Sequence, residues 1–109
     1  MKFAEVKQIK VGDKSFPIKL TNRAMIEYEA LTGESIVSFK GSERMSKLFY
    51  CTAKAGARAE GKEFKYDYEQ FLDVIDDYYM DVLNNFSAAI FEEFTPSEEK
   101  PSKKRSATA

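Results

Sequence analysis

The stretch from Asp67 to Phe94 constrains this chain most, because it holds the longest run of apolar side chains at helical spacing and shorter elements must pack against it. At about 100° per residue, Tyr68, Phe71, Leu72, Ile75, Tyr78, Tyr79, Val82, Leu83 and Phe86 fall on one arc of about half a turn. Glu69, Asp73, Asp77 and Asp81 occupy the opposite arc. The pattern predicts an amphipathic helix with a wide buried face. Its start is marked by Asp67 as N-cap, Gln70 in the capping-box position, and Tyr66 with Phe71 in the two hydrophobic-staple positions. Beyond Phe86 the phase fails, since a straight continuation would turn Glu93 into the apolar arc and Phe91 into the acidic one. A break or kink near Asn84, Asn85 and Ser87 is therefore expected; the alternative is a continuous helix with an exposed Phe91.

Such a helix needs a body to cover it, and 109 residues hold apolar content for one modest core. The chain has no His, which excludes a His-based acid/base, a catalytic triad and a His metal site. Cys51 stands alone, so neither a disulfide framework nor a zinc cluster is available within one chain, and it reads as a small buried residue. With no apolar run of about 18 residues and no signal-type N-terminus, neither a membrane span nor secretion is expected, and a reducing bacterial cytoplasm fits.

Charge is divided along the chain. Residues 1–65 hold 13 Lys/Arg against 8 Asp/Glu, residues 66–95 hold 8 acids and no base, and residues 96–109 hold 4 bases and 2 acids. The acids read either as a solvated face answered by the body's own lysines or as a surface for a basic partner. A phosphate backbone would be repelled from that face, so nucleic acid is not expected as the main ligand.

Before the acidic stretch, residues 3–20 read as a β-hairpin: Ile9 and Val11, then Phe16, Ile18 and Leu20, alternate with polar neighbours around Gly12-Asp13-Lys14-Ser15. A tip at Asp13-Lys14 pairs Val11 with Phe16 and Ile9 with Ile18, and Pro17 must face an edge. A three-turn helix is expected over 22–32, capped by Thr21 or Asn22, stopped by Gly33, buried through Ala24, Met25, Tyr28 and Leu31, with Arg23 and Glu27 paired outside. Residues 34–41 form a linker whose Ile36 and Phe39 tuck over the core. Ser42 caps a further helix with a stripe of Met45, Leu48, Phe49, Thr52 and Ala53. The small run Ala53, Ala55, Gly56, Ala57, Ala59 reads as helix propensity or as room for another helix. Residues 96–109, with no apolar side chain larger than Ala besides two prolines, read as a disordered charged tail.

The segment 12–33, GDKSFPIKLTNRAMIEYEALTG, carries a resemblance. A hairpin ending in a Pro-containing strand, a Thr-capped helix with a Tyr/Glu middle and then Thr-Gly resemble the opening of the tail assembly chaperones of long-tailed phages. The later order is similar too: linker, alanine-bearing helix, charged Gly-containing loop, acidic helix, ragged charged C-terminus. The tyrosine-rich acidic helix departs from that pattern. The resemblance covers residues 5–95 and implies a chaperone of a phage or prophage that coats the tape measure protein and helps tail tube protein assemble around it.

Within one chain the sequence offers no catalytic constellation. Asp73, Asp76, Asp77 and Asp81 sit on a helix rather than in a Gly-supported calcium loop, and the scattered glycines form neither a P-loop nor a dinucleotide fingerprint. A non-enzymatic binding role without cofactor or metal is therefore expected. The fold class is α+β, a small N-terminal β-hairpin packed on three to four α-helices, in one domain over residues 1–95. The expected protein-binding surface centres on Tyr78, Tyr79, Phe91 and Phe94, bordered by Asp77 and Asp81, because tyrosine suits a surface that is wet when free and dry when bound. Self-association into a homo-oligomer stays open, as does the alternative of an adaptor or regulatory interaction domain of a mobile element.

Overall fold

A computed structural model describes residues 5–33 and 41–93. The expectations for Ile36, Phe39, Phe94 and residues 96–109 lie outside the described residues. Strands β1 (Lys7–Val11) and β2 (Lys14–Ile18) form an antiparallel hairpin, followed by α1 (Asn22–Thr32), α2 (Ser42–Ala59) and α3 (Tyr68–Ile75). A last helical run is built from α4 (Tyr79–Asp81), a π-turn (Val82–Phe86) and α5 (Ser87–Glu93) without interruption. The fold is α+β, a hairpin laid on four helical rods.

The hairpin register is Val11 with Lys14, Ile9 with Phe16 and Lys7 with Ile18, so the loop is Gly12-Asp13 rather than Asp13-Lys14. Gly12 at φ 62° supplies the positive dihedral that a two-residue hairpin turn demands at its first central position. This register differs from the expected one by two residues. Because side chains alternate with a period of two, Ile9, Val11, Phe16 and Ile18 still share the buried face.

Pro17 has no N–H to donate, and its edge of β2 faces α2 rather than solvent. A Cβ built on Gly56 would lie 2.2 Å from the Pro17 carbonyl oxygen and 2.7 Å from the Ile18 nitrogen, so strand backbone and helix backbone touch. Just past the strand, Lys19 N–H donates to the Thr52 carbonyl (3.0 Å), and the Thr52 hydroxyl, fully buried, bonds back to Leu48 and Phe49 carbonyls. The small-residue run of α2 thus admits a strand, not a helix.

Helix α1 begins and ends as its sequence implies: the Thr21 hydroxyl accepts from Ala24 N–H, and Gly33 closes the helix in the left-handed conformation. Its buried face is narrower than expected. Ala24 and Tyr28 are buried, Met25 only partly, and Leu31 is exposed, while Glu27 turns to Lys54 of α2 (3.6 Å) instead of Arg23. In α2, Gly41 rather than Ser42 occupies the N-cap, with no side-chain cap.

Helix α3 is capped by the reciprocal bonds read from its sequence: Asp67 Oδ1 accepts from Gln70 N–H (2.8 Å), and Gln70 Oε1 accepts from Asp67 N–H (2.9 Å). Its Phe71 enters an aromatic centre in which Phe49 meets Phe16, Phe71 and Phe86 at ring distances of 5.8, 5.0 and 4.5 Å. All four rings are buried, drawn from β2, α2, α3 and the π-turn, so this cluster ties the described elements into one core.

The expected break at Asn84–Ser87 is displaced. The chain leaves the helix after Asp76 and re-enters it at Tyr79, with Tyr78 at φ −123°, ψ 41°. At Val82–Phe86 the helix widens instead of breaking. Each four-residue step in an α-helix rotates a face by about 40°; the extra residue of the π-turn takes that rotation back, so Val82, Phe86 and Ile90 lie on one buried line. Phe91, the next residue, is left 69% exposed.

Candidate protein-binding site

Two of the residues expected on the binding surface hold the hairpin instead. Asp81 Oδ2 accepts from Gly12 N–H at 2.7 Å, and the Tyr78 ring lies against Gly12 so closely that an added Cβ would sit 2.6 Å from it. One π-turn residue completes the seat: Asn85 Nδ2 donates to the Lys10 carbonyl at 2.7 Å. Tyr78 and Asp81 are therefore corrected from docking residues to clamps on the hairpin tip. The same contacts account for the helix break, because Tyr78 turns its ring to Gly12 and its backbone out of helical geometry.

Asp77 and Tyr79 stay outward, Tyr79 at 54% exposure, and Met80 beside them is 58% exposed. Phe94 lies outside the described residues. Next to Tyr79 opens a cleft of about 130 Å³ between α2 and the α3–α4 junction. Its α2 wall is Ser42, Met45 and Ser46; α3 contributes Leu72, Ile75 and Asp76; Tyr79 and Val82 close the far side. Sequence reasoning missed Met45, Ser46 and Met80. Met80 was legible as a large side chain off the Tyr79–Val82 line, but nothing in sequence places the start of α2 opposite Tyr79.

The surrounding electrostatics are negative on the α3–α4 side, where Asp73, Asp76 and Asp77 are exposed. On the α2 side Lys47 pairs with Glu43 (3.0 Å) and approaches the Tyr68 ring at 5.9 Å. Burial first, then Glu43 and Glu69, push the Tyr68 phenol above its ordinary value of 10.0. Cys51 is fully buried behind the α1–α2 groove, and burial, with Glu27 adding to it, pushes its thiol from 9.0 up to about 12. A thiol held protonated is a packing group, not a nucleophile.

Among the described residues no group of three or more His, Cys, Asp or Glu is placed to hold a metal ion, and no helix is long and apolar enough to cross a membrane.

No family model, curated protein or solved structure matches this chain. What the site does must be argued from its own chemistry, which is that of an apolar cleft with a tyrosine and a methionine at the rim and carboxylates beside them. Such a surface binds another chain through side-chain burial and selects it by charge.

Proposed function

We propose that this protein is a tail assembly chaperone of a long-tailed phage or prophage, which binds helical segments of the tape measure protein in the host bacterial cytoplasm and assists assembly of the tail tube. The observation that carries the reading is the exposure of Tyr79 and Met80, at 54% and 58%, within a stretch that holds eight acids and no base. Large apolar side chains held out to solvent beside carboxylates fit a partner that pairs an apolar stripe with cations, and they fit a protein partner better than nucleic acid. The resemblance of residues 12–33 and of the element order to the chaperone family supports the same reading. So does the α+β class, with its hairpin ahead of the helices.

In this reading the protein is a holdase acting by mass action: many weakly binding copies cover apolar helix faces and are displaced as the tube forms. No catalytic step and no cofactor is assigned. Co-expression with the tape measure protein of the same replicon tests it. The tape measure protein should stay soluble and co-purify only when this chain is present; if the chain neither raises its soluble yield nor binds it or the tail tube protein, the reading falls and an adaptor or regulatory interaction domain of a mobile element takes its place.

A further inference from the structure

The cleft beside Tyr79 differs from a flat sticky patch, and that difference narrows the partner. Its walls are aliphatic: Ile75 and Val82 are buried, and Met45 and Leu72 are half-buried. An apolar occupant alone would be indifferent to charge, yet Asp76 stands on the rim and Asp73 and Asp77 are exposed beside it. From Tyr66 to Thr95 the chain has no Lys or Arg to answer them.

Three occupants compete for such a socket. A second copy meeting this face symmetrically would set Asp73, Asp76 and Asp77 against their own equivalents, which is repulsive. The chain's own C-terminal sequence has Lys103, Lys104 and Arg105, but residues 96–109 contain no apolar side chain larger than Ala except two prolines, and so no anchor. A different protein supplies both features when a large apolar residue is followed by Lys or Arg one helical turn away.

We propose that the cleft between the first turns of α2 and the α3–α4 junction is a socket for one large apolar side chain of a partner helix whose neighbouring turn presents Lys or Arg to Asp73, Asp76 and Asp77. The inference rests on the chaperone reading only for the identity of the partner; the socket and its selectivity follow from the cleft itself. Tyr79 and Met80 fold over the anchor, excluding water from the rim, while the carboxylates set encounter rate and partner choice.

The test uses the full chain and two designed amphipathic helical peptides, one with a leucine stripe flanked by lysines, the other with glutamates in place of those lysines. Methyl NMR spectra read the site directly, because Met45, Leu72, Ile75 and Val82 all carry methyl groups. The lysine peptide should shift these methyls and bind about tenfold or more tightly than the glutamate peptide, with an affinity that falls as salt rises. Ser46→Phe, which fills the cleft from a half-buried wall position, should weaken the lysine peptide about tenfold. Asp76→Lys, at an exposed position, should do the same and remove its advantage over the glutamate peptide, and it decides the matter if Ser46→Phe fails to fold.

Shifts centred elsewhere, equal affinity for the two peptides, no binding of either, or full affinity in folded variants would overturn the proposal. So would cleft methyl shifts that change on dilution without peptide, which would make a second copy the occupant. Shifts that change on Lys103→Glu with Lys104→Glu would make it the chain's own tail. Tape measure protein solubilised equally by wild type and by Asp76→Lys sinks the socket and leaves the chaperone reading standing. Peptide binding in the cleft with no effect on any tail protein does the reverse.

Discussion

Gly56→Ala is the substitution that most directly interrogates the fold, because general helix energetics and this structure make opposite predictions for it. In a helix interior, exchanging Gly for Ala ordinarily stabilises by about 0.5–1 kcal/mol through backbone entropy. Here the added Cβ lies 2.2 Å from Pro17 O and 2.4 Å from Pro17 C, and ordinary van der Waals contact begins near 3.4 Å. Both atoms are backbone, so no side chain can swing aside. Strand β2 must withdraw by about 1 Å to relieve the overlap, against a core packed at crystal-like density. That displacement stretches the Lys19 N–H bond to the Thr52 carbonyl, 3.0 Å at rest, out of bonding range and lifts Phe16 and Ile18 off Phe49. Overpacking costs about 1–3 kcal/mol, and a buried hydrogen bond left unmade about 1–3 kcal/mol. Set against the gain in propensity, the net loss is about 2–4 kcal/mol, which lowers the melting temperature of a domain this size on the order of 10–25 °C.

Circular dichroism melts and urea titrations measure it, with Gly61→Ala as the comparison. Gly61 sits at φ 70°, but nothing lies within 4 Å of its added Cβ. Its only cost is the left-handed conformation, about 1–2 kcal/mol. Gly56→Ala should therefore be the worse of the two. If it melts at or above the wild-type temperature, the contact between β2 and α2 is not as described and the reasoning fails.

Asp81→Ala removes the acceptor from the Gly12 N–H and should cost about 1–2 kcal/mol in a urea titration, with faster hydrogen exchange at Gly12; Asp77→Ala, at an exposed position, should leave both unchanged. Cys51, buried and held protonated, should react with a thiol reagent at pH 8 only after the chain is unfolded in urea. Because its folded pKa lies above the unfolded one, its contribution is intact below pH 9 and is lost as pH rises toward about 12. Over that window stability should fall by about 1.4 kcal/mol per pH unit. Cys51→Ala should flatten that part of the decline, seen as urea midpoints at pH 8 and at more alkaline pH.

What could be read from sequence alone was whatever local chemistry decides. The Thr21 cap and Gly33 stop of α1, the Asp67–Gln70 capping box, the buried alternation of Ile9, Val11, Phe16 and Ile18, and the helical phase of Phe71 and Ile75 each follow from neighbours within four residues or from the period of one element. The features that went astray all depend on a second element. Which of two hairpin registers forms is set by the φ that Gly12 adopts, and both bury the same side chains, so the hydrophobic pattern could not choose between them. The exposure of Leu31, the turn of Glu27 toward Lys54, and the use of Gly56 as a seat for a strand record where α2 lies, which no one-dimensional spacing encodes. The binding surface shows the same division. Sequence marked Tyr78, Tyr79, Asp77 and Asp81 as one group because they are adjacent in the chain. Only the docked hairpin tip separates them, taking Tyr78 and Asp81 inward to Gly12 and leaving Tyr79 and Asp77 outside, because a backbone N–H that loses water on folding must find an acceptor and Asp81 is the one within reach.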